Sequence, residues 1–253
     1  ITWSDGTPFT SADVKFTADY CMDPDGGCAQ VTKFEGVTAV EAVDDLTVKV
    51  TFDKPTPFPY GPFVGGESPI LQAAQFADCT GAAASSCSEQ NFNPIGTGPY
   101  LPETLEVGVK GVLVKNPDHT WWGTEITGGP FIDRLEYIDY GTDPSAWIAA
   151  AEAEEVDGFY SMEGEYIDIM STLDGWVENS IATAATIVIR PNQLAEVDGK
   201  QPYADKRVRQ AIGMAVDNEV LLELGYGGRG IVAENHHVGP MHPEYAELPA
   251  RKV

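Results

Sequence analysis

The chain has 253 residues, of which 43% are hydrophobic and 21% charged, a balance typical of a folded globular protein and not of a disordered one. Its formal net charge of −24 repels phosphate backbones, which argues against nucleic-acid binding. The acidic residues are spread along the chain, which favours a solvated surface suited to salty or extracellular surroundings over one that collects cationic solutes.

The N-terminal segment indicates a helix and no targeting signal. Residues 1–6 have no basic start, apolar stretch or cleavage site, so they do not form a signal peptide, and we expect the natural start to lie upstream. Nowhere does an apolar run approach the roughly 20 residues that a membrane-spanning helix needs. Thr10 suits the N-cap of a helix that is predicted to run to residue 22, with Asp13 in its first turn.

A β-hairpin is predicted next. Apolar and polar residues alternate over residues 46–52, which is typical of a half-buried strand, and residues 37–43 form a plausible partner. Asp44-Asp45 is the predicted turn between them. The proline-rich residues 54–60 cannot form a central strand and indicate a loop or an edge.

The second half of the chain has the alternating signals of an α/β protein. Strands are predicted around residues 100–115 as a pair, at 135–140, at 156–160 and at 187–189. Asp143-Pro144 begins a helix that ends near Glu154, so that residues 135–160 would form a strand–helix–strand unit. After a polar linker near residues 190–203, two helices are predicted, at 205–216 and from Asp217 to a stop at Gly225.

The four cysteines fall into two close pairs. Cys21 and Cys28 bracket one loop of small residues, and Cys79 and Cys87 bracket another, so we expect two local disulfides. A metal site would need closer cysteine spacing or nearby histidines. Disulfides indicate an oxidising compartment outside the cytoplasm.

Five short motifs occur in order along the chain: WSDGTPFTSADV at 3–14, IGTGPY at 95–100, NPDHTWW at 116–122, EVD at 155–157 and DKRVRQA at 205–211 with Asp217. Together they resemble the family 5 extracellular solute-binding proteins, the group that contains the dipeptide-, oligopeptide- and nickel-binding proteins of ABC importers. The resemblance spans nearly the whole chain. One departure is Glu154, where the family usually has Gly, so we expect the preceding helix to end without its usual left-handed residue.

The resemblance implies an α/β fold of the periplasmic-binding-protein type (type II), with two lobes and a hinge that closes on ligand. Residues 1–95 would be a subsidiary subdomain of lobe I, 96–193 its main sheet and 194–253 the incomplete start of lobe II. It implies a non-enzymatic protein without cofactor, in the periplasm or outside the cell, that delivers a peptide or similar small organic solute to the membrane permease of an ABC importer. Because family members extend beyond both ends, we expect a fragment with weak or no ligand affinity.

Candidate ligand contacts lie in two stretches. Ligands of open α/β sheets bind beyond the carboxyl ends of strands, which places Tyr160, Ser161, Met162 and Glu163 at the cleft. An aromatic ring, a soft apolar group and a carboxylate suit an apolar solute with a cationic end. An ordinary surface turn is the alternative interpretation. The second stretch contains Asn235, His236 and His237, which we expect to line the cleft or hinge.

Two other functions stay open. Histidine is a common metal ligand, so His236, His237 and His242 allow a nickel or metal-chelate binder, although their spacing fits no established ligand pattern. A secreted hydrolase using two carboxylates as acid and base is the less favoured alternative, since the chain has no nucleophile elbow and no His-Glu-x-x-His motif. Trp121 and Trp122 are predicted to pack in the core and not to stack on a ligand.

Overall fold

The computed structural model describes all residues except 27, 66, 67, 163, 182, 184, 185, 234–237, 241, 243, 244 and 248–253. It separates into two compact units, Ile1–Asp139 and Tyr140–Val253. The predicted assignment of residues 1–95, 96–193 and 194–253 to parts of two lobes stays a prediction. No helix among the described residues is both long enough and apolar enough to cross a bilayer.

The first unit combines short helices with two small sheets. Its helices are α1 (Ser11–Met22), α2 (Ala73–Phe76), α3 (Ser88–Phe92) and α4 (Thr124–Thr127), and its strands are β1 (Val37–Asp44), β2 (Thr47–Phe52), β3 (Tyr100–Glu106), β4 (Lys110–Lys115) and β5 (Arg134–Ile138). Short 3-10 helices lie at Val31–Phe34 and Gly81–Ser86. In the second unit the helices are α5 (Pro144–Glu152), α6 (Glu165–Met170), α7 (Lys206–Met214) and α8 (Asn218–Tyr226), with a 3-10 turn at Pro202–Ala204.

Helix α1 begins and ends as predicted. Thr10 is its N-cap in extended conformation, and the backbone N–H of Thr10 donates to the Asp13 carboxylate over 2.9 Å. The inner face of the helix packs against the β1–β2 hairpin, where Ala18 and Cys21 join Phe34 and Val40 in a buried cluster. Burial of this apolar face, more than helix propensity, holds so short a helix in place.

The hairpin differs from its prediction in one detail. β1 and β2 pair antiparallel, but Asp44 pairs with Thr47, so the turn is Asp45-Leu46 and not Asp44-Asp45. The Asp44 carboxylate accepts a hydrogen bond from the Leu46 N–H over 2.9 Å, which lowers the pKa of Asp44 and fixes the turn one residue later. Leu46 is therefore 90% exposed and does not belong to the buried face of the strand.

The Asp13 side chain is the centre of a buried hydrogen-bond network. It is 6% exposed, and it accepts from the Trp3 indole over 3.3 Å and from the Ala73 backbone N–H over 2.9 Å, besides the bond from Thr10. Thr17, one turn further along, accepts from the Leu71 N–H over 2.9 Å. Asp13 of the first sequence motif and Thr17 thus tie residues 71–73, at the start of α2, to helix α1, which is a structural role.

Both predicted disulfides are present. Cys21 and Cys28 are bridged with their Cα atoms 4.9 Å apart, and Cys79 and Cys87 with their Cα atoms 5.8 Å apart. Cys21 also contributes to the buried cluster under α1, and Cys79 is only 1% exposed. Each bridge therefore anchors its loop to the packed interior of the first unit.

The second sheet is antiparallel in the order β3–β4–β5. Its β3–β4 hairpin confirms the strand pair predicted around residues 100–115, and Val112 at its centre is 1% exposed. The Asn116 N–H donates to the Pro99 carbonyl over 2.9 Å and closes the hairpin where the sequence predicts its end.

Trp121 is half-buried and packs against backbone, which agrees only in part with its predicted place in the core. Its ring lies directly over Gly123, which is buried and has ordinary right-handed helical geometry, with φ −72° and ψ −12°. Trp122 is 47% exposed, with its ring centroid 5.9 Å from that of Trp121, so the prediction that it packs in the core is wrong. Glycine is thus required at position 123 by space and not by backbone conformation.

The second unit confirms the predicted helices but not the predicted strands. Asp143 caps α5 by accepting from the Ser145 N–H, Asp205 caps α7 and Asp217 caps α8. The strands predicted at 156–160 and 187–189 are wrong, because neither segment pairs with another and no strand lies among the described residues of this unit. The predicted strand–helix–strand unit is therefore also wrong, since an apolar run needs a neighbour to become a strand.

Two helix ends differ from their predictions. α8 continues to Tyr226 and closes at the left-handed Gly227 and not at Gly225. After α5, Glu154 itself is left-handed, with φ 56°, so the expectation that this helix lacks a left-handed end residue is wrong. The Glu154 N–H donates to Ala151 over 3.1 Å and the Glu155 N–H to Ala150 over 2.9 Å, which is the Schellman pattern.

Replacing Glu154 by glycine is expected to stabilise the second unit by about 1 kcal/mol, because a left-handed backbone costs a side-chain-bearing residue roughly that amount. Urea unfolding followed by circular dichroism measures the change. Glu154→Ala removes the charge but keeps the strained conformation, so its effect should be close to zero. Equal stabilisation by alanine and glycine would show that charge and not backbone strain is responsible.

Candidate functional site

The first candidate stretch begins at a residue held by a column of aromatic rings. The Phe159 ring is stacked between two indoles, with centroid distances of 6.3 Å to Trp147 and 5.4 Å to Trp176 and interplanar angles of 27° and 21°. All three rings are half-buried, and the Trp147 indole donates to the Gly141 carbonyl over 3.1 Å. The column fixes the backbone immediately before Tyr160.

Tyr160 itself is fully exposed. Its relative exposure is 107%, and it makes no hydrogen bond to any residue that the structure describes. Met162 is half-buried, and Glu163 lies outside the described residues. A free phenol ring on an anchored backbone offers a solute an apolar face and one hydroxyl.

The surroundings of Tyr160 are acidic. From the last residue of α5 to Tyr160, the side chains of Glu152, Glu154, Glu155 and Asp157 are exposed. Burial raises the pKa of Tyr140, and its hydrogen bond to the Glu155 carboxylate, 3.2 Å long, raises it further. The local potential therefore favours positively charged groups.

Helix α6, which follows the first stretch, contacts the turn that leads to the second. The Arg229 guanidinium donates to the Asp168 carboxylate over 2.6 Å, and a Cβ placed on Gly164 would lie 3.8 Å from the Gly225 carbonyl oxygen. The Arg229 pKa is raised by this hydrogen bond, and also by attraction to Asp168 and Glu178. Residues 164–168 and 225–229 are thus neighbours, which the sequence did not indicate.

The second candidate stretch, Asn235, His236 and His237, lies outside the described residues. On its N-terminal side, the Asn218 side chain donates to the Ala233 carbonyl, and on its C-terminal side the Gly239 N–H donates to Nδ1 of His242 over 2.9 Å. Within the described part of the chain, no group of three or more His, Cys, Asp or Glu residues could hold a metal ion.

Comparison with known proteins identifies the family. Residues 1–252 match the model for bacterial extracellular solute-binding proteins, family 5, middle region. A Brucella ovis protein, described by its name as an ABC transporter peptide-binding protein, is 26% identical over 89% of this chain and 40% of its own length. The glutathione-binding protein GsiB of Pectobacterium atrosepticum is 25% identical over 92% of this chain and 42% of its own. The chain thus spans about 40% of the length of these relatives.

Among solved structures, NikZ from Campylobacter jejuni in complex with Ni(L-His) is similar with a TM-score of 0.66 at 22% identity, covering 88% of this chain and 41% of that one. At this identity the likeness shows the fold, a mixed α/β fold that corresponds to about two fifths of a family 5 protein. The resemblance carried by the five motifs is confirmed. The chain belongs to the bacterial extracellular solute-binding proteins of family 5, a family of solute-binding proteins and not of enzymes.

Proposed function

We propose that this chain is part of the substrate-binding component of an ABC importer, which captures a peptide or similar small organic solute outside the cytoplasm. The observation that carries the proposal is the family match over residues 1–252. Relatives named for peptide and glutathione binding support a peptide-like ligand. The two disulfides support a periplasmic or extracellular location.

Two segments would contact the ligand. The first provides Tyr160, Met162 and Glu163, and the second provides Asn235, His236 and His237. The exposure of Tyr160 and the rigid aromatic column before it support the first assignment, because an anchored ring loses little conformational entropy on binding. The exposed carboxylates between α5 and Tyr160 would favour the amino group of a peptide.

Capture would occur by hinge closure. Residues 96–193 would belong to one lobe and 194–253 to the other, and the binding free energy would come from burying the solute between them. The closed form would then deliver its solute to the membrane permease. Under this division the two candidate segments would lie on opposite sides of the cleft.

Ligand-dependent thermal stabilisation and calorimetry test the proposal. The probes are tri-alanine, glutathione, a disaccharide and Ni²⁺ with L-histidine. Each probe is tested against two samples, the 253-residue chain and the longest form of the protein that its gene encodes. In the longest form we expect one peptide probe to stabilise the fold by about 2.7 kcal/mol at a hundredfold excess over Kd. For the 253-residue chain we expect a Kd of about 1 mM or weaker.

Tyr160→Ala should weaken peptide binding about tenfold in the longest form, because the ring contact is lost. Tyr137→Ala is the matched control, since Tyr137 is also exposed, at 63%, but lies on β5 in the first unit. Stabilisation by Ni²⁺ with histidine alone would replace the peptide assignment by the metal-chelate alternative. Turnover of a probe without binding of any would contradict the proposal.

A further inference from the structure

A small cleft of about 320 Å³ lies within the first unit. One wall is formed by the 3-10 helix Val31–Phe34 and the two residues after it, and the other by the end of β2 and the proline-rich residues 54–60. The walls carry two aromatic rings, two ammonium groups and two carboxylates, which belong to Phe52, Phe58, Lys33, Lys54, Glu35 and Asp53. The volume falls at the lower end of the roughly 300–1,000 Å³ of small-molecule sites.

The two walls are held together by backbone contacts. The Asp53 N–H donates to the Gly36 carbonyl over 2.8 Å, which joins the end of β2 to the residues after the 3-10 helix. Gly36 is left-handed, with φ 83°, and a Cβ there would lie 3.0 Å from a carboxylate oxygen of Asp53. Prolines alternate along residues 54–60, and the Phe58 N–H donates to the Thr56 hydroxyl over 3.2 Å. The walls therefore need little ordering when a ligand binds.

One ammonium group of the cleft is held at a fixed place. Lys33 is half-buried, and its Nζ donates to the Ser68 hydroxyl over 3.0 Å. Ser68 is only 6% exposed and donates in turn to the Gly61 carbonyl over 3.2 Å. Lys33 therefore presents a positioned positive charge to the cleft.

The other charged groups of the cleft are unpaired. Glu35, Asp53 and Lys54 are exposed, and none of their side chains forms a hydrogen bond or ion pair with any residue that the structure describes. On the same hairpin, by contrast, Lys49 pairs with Glu41 over 3.1 Å. Opposite charges that face one cleft without pairing leave both signs available to a ligand.

We propose that this cleft binds a small zwitterion, an α-amino acid with an apolar side chain. The carboxylate of the ligand would lie toward Lys33 and Lys54, and its ammonium group toward Glu35 and Asp53. Its side chain would pack against the two phenyl rings. A simple anion would face two carboxylates as well, and a simple cation two lysines, so only a zwitterion matches both signs. The site shares no residue with the segments of the proposed function and does not depend on it.

Titration of the ¹⁵N-labelled 253-residue chain with L-phenylalanine, followed by NMR, tests the site. We expect a Kd of about 1 mM, with chemical-shift changes centred on residues 32–36 and 52–58. L-phenylalaninamide lacks the carboxylate and N-acetyl-L-phenylalanine lacks the ammonium group, so each should bind about tenfold more weakly. Shift changes centred elsewhere, or an analogue that binds as tightly as L-phenylalanine, would overturn the proposal.

Two charge variants test the orientation of the ligand. Lys54→Gln should weaken L-phenylalanine binding about fivefold but should not weaken binding of L-phenylalaninamide, which has no carboxylate for the lysine to contact. Asp53→Asn should weaken L-phenylalanine binding about fivefold but should not weaken binding of N-acetyl-L-phenylalanine. Equal losses for L-phenylalanine and the matching analogue would contradict the assigned contacts.

A ring variant and a matched control complete the test. Phe58→Ala should weaken L-phenylalanine binding about tenfold, and its fold should be intact because this ring is 67% exposed. Lys49→Gln should leave the affinity unchanged, since Lys49 is an exposed lysine of β2 that does not line the cleft. A loss in Lys49→Gln as large as that in Lys54→Gln would show that overall charge is responsible and would overturn the site. Calorimetry should detect L-phenylalanine binding in the longest form of the protein as well, and its absence there would also overturn the site.

Discussion

Replacing Gly123 by alanine is expected to lower the free energy of unfolding of the first unit by about 3 kcal/mol. A Cβ at this position would lie within 2.6 Å of Cη2 of the Trp121 ring, and closer still to Cζ2. Real Cβ atoms do not approach a ring carbon so closely, so the indole must leave its place. The loss comes from strain and lost packing, because the backbone at residue 123 suits alanine.

Urea unfolding followed by circular dichroism measures this loss. Gly98→Ala is the matched control, since a Cβ there would meet nothing within 4 Å and its backbone is not left-handed. Its expected effect is about 0.5 kcal/mol or less. Combining Gly123→Ala with Trp121→Ala should cost clearly less than the sum of the two single changes, because one removes the clash that the other creates. Additive losses would show that the clash is not the cause.

Asp13→Ala is expected to cost the first unit about 3–5 kcal/mol. The change removes the acceptor for the Trp3 indole and for the backbone N–H groups of Thr10 and Ala73, at a site that is 6% exposed. Buried donors without partners cost far more than a hydrogen bond contributes on average. The same unfolding measurement applies.

Two further variants of this helix make the Asp13 result interpretable. Asp19→Ala removes an exposed carboxylate that pairs with Lys15, and its expected effect is about 0.5 kcal/mol or less. Asp13→Asn keeps one acceptor oxygen but turns an amide donor toward other donors, so we expect an intermediate loss. A loss for Asp13→Ala no greater than that for Asp19→Ala would contradict the network's role.

The parts of the fold that the sequence predicted are those with local causes. The Thr10 cap of α1, the Asp143 cap of α5, the β1–β2 hairpin and both disulfides each depend on residues close together in the chain. The strand predicted at 156–160 failed because periodicity cannot tell whether an apolar run will find a partner strand. Glu154 adopts the left-handed conformation because the free energy gained from the two Schellman hydrogen bonds exceeds the conformational cost of a side chain at this position.

The position of the candidate site along the chain stays a prediction, and the sequence did not indicate the aromatic column that precedes it. Tyr160 is exposed, as a ligand contact requires, yet the column formed by Trp147, Phe159 and Trp176 was missed, because stacking depends on where distant residues meet. The sequence also did not predict the ion pair of Arg229, because the glycine-rich segment around it indicates only the end of a helix. The available sequence signal for its contact with Asp168 was an isolated arginine after two glycines in a chain with a net charge of −24.

The short span of the two disulfides has a consequence for how the chain is oxidised. The bridged cysteines are separated by 7 and 8 residues, whereas any other pairing of the four would close a loop several times longer. The entropy of loop closure favours each short ring by about 2 kcal/mol over such alternatives. The two native bridges are therefore favoured over the long-range pairings even before the chain folds.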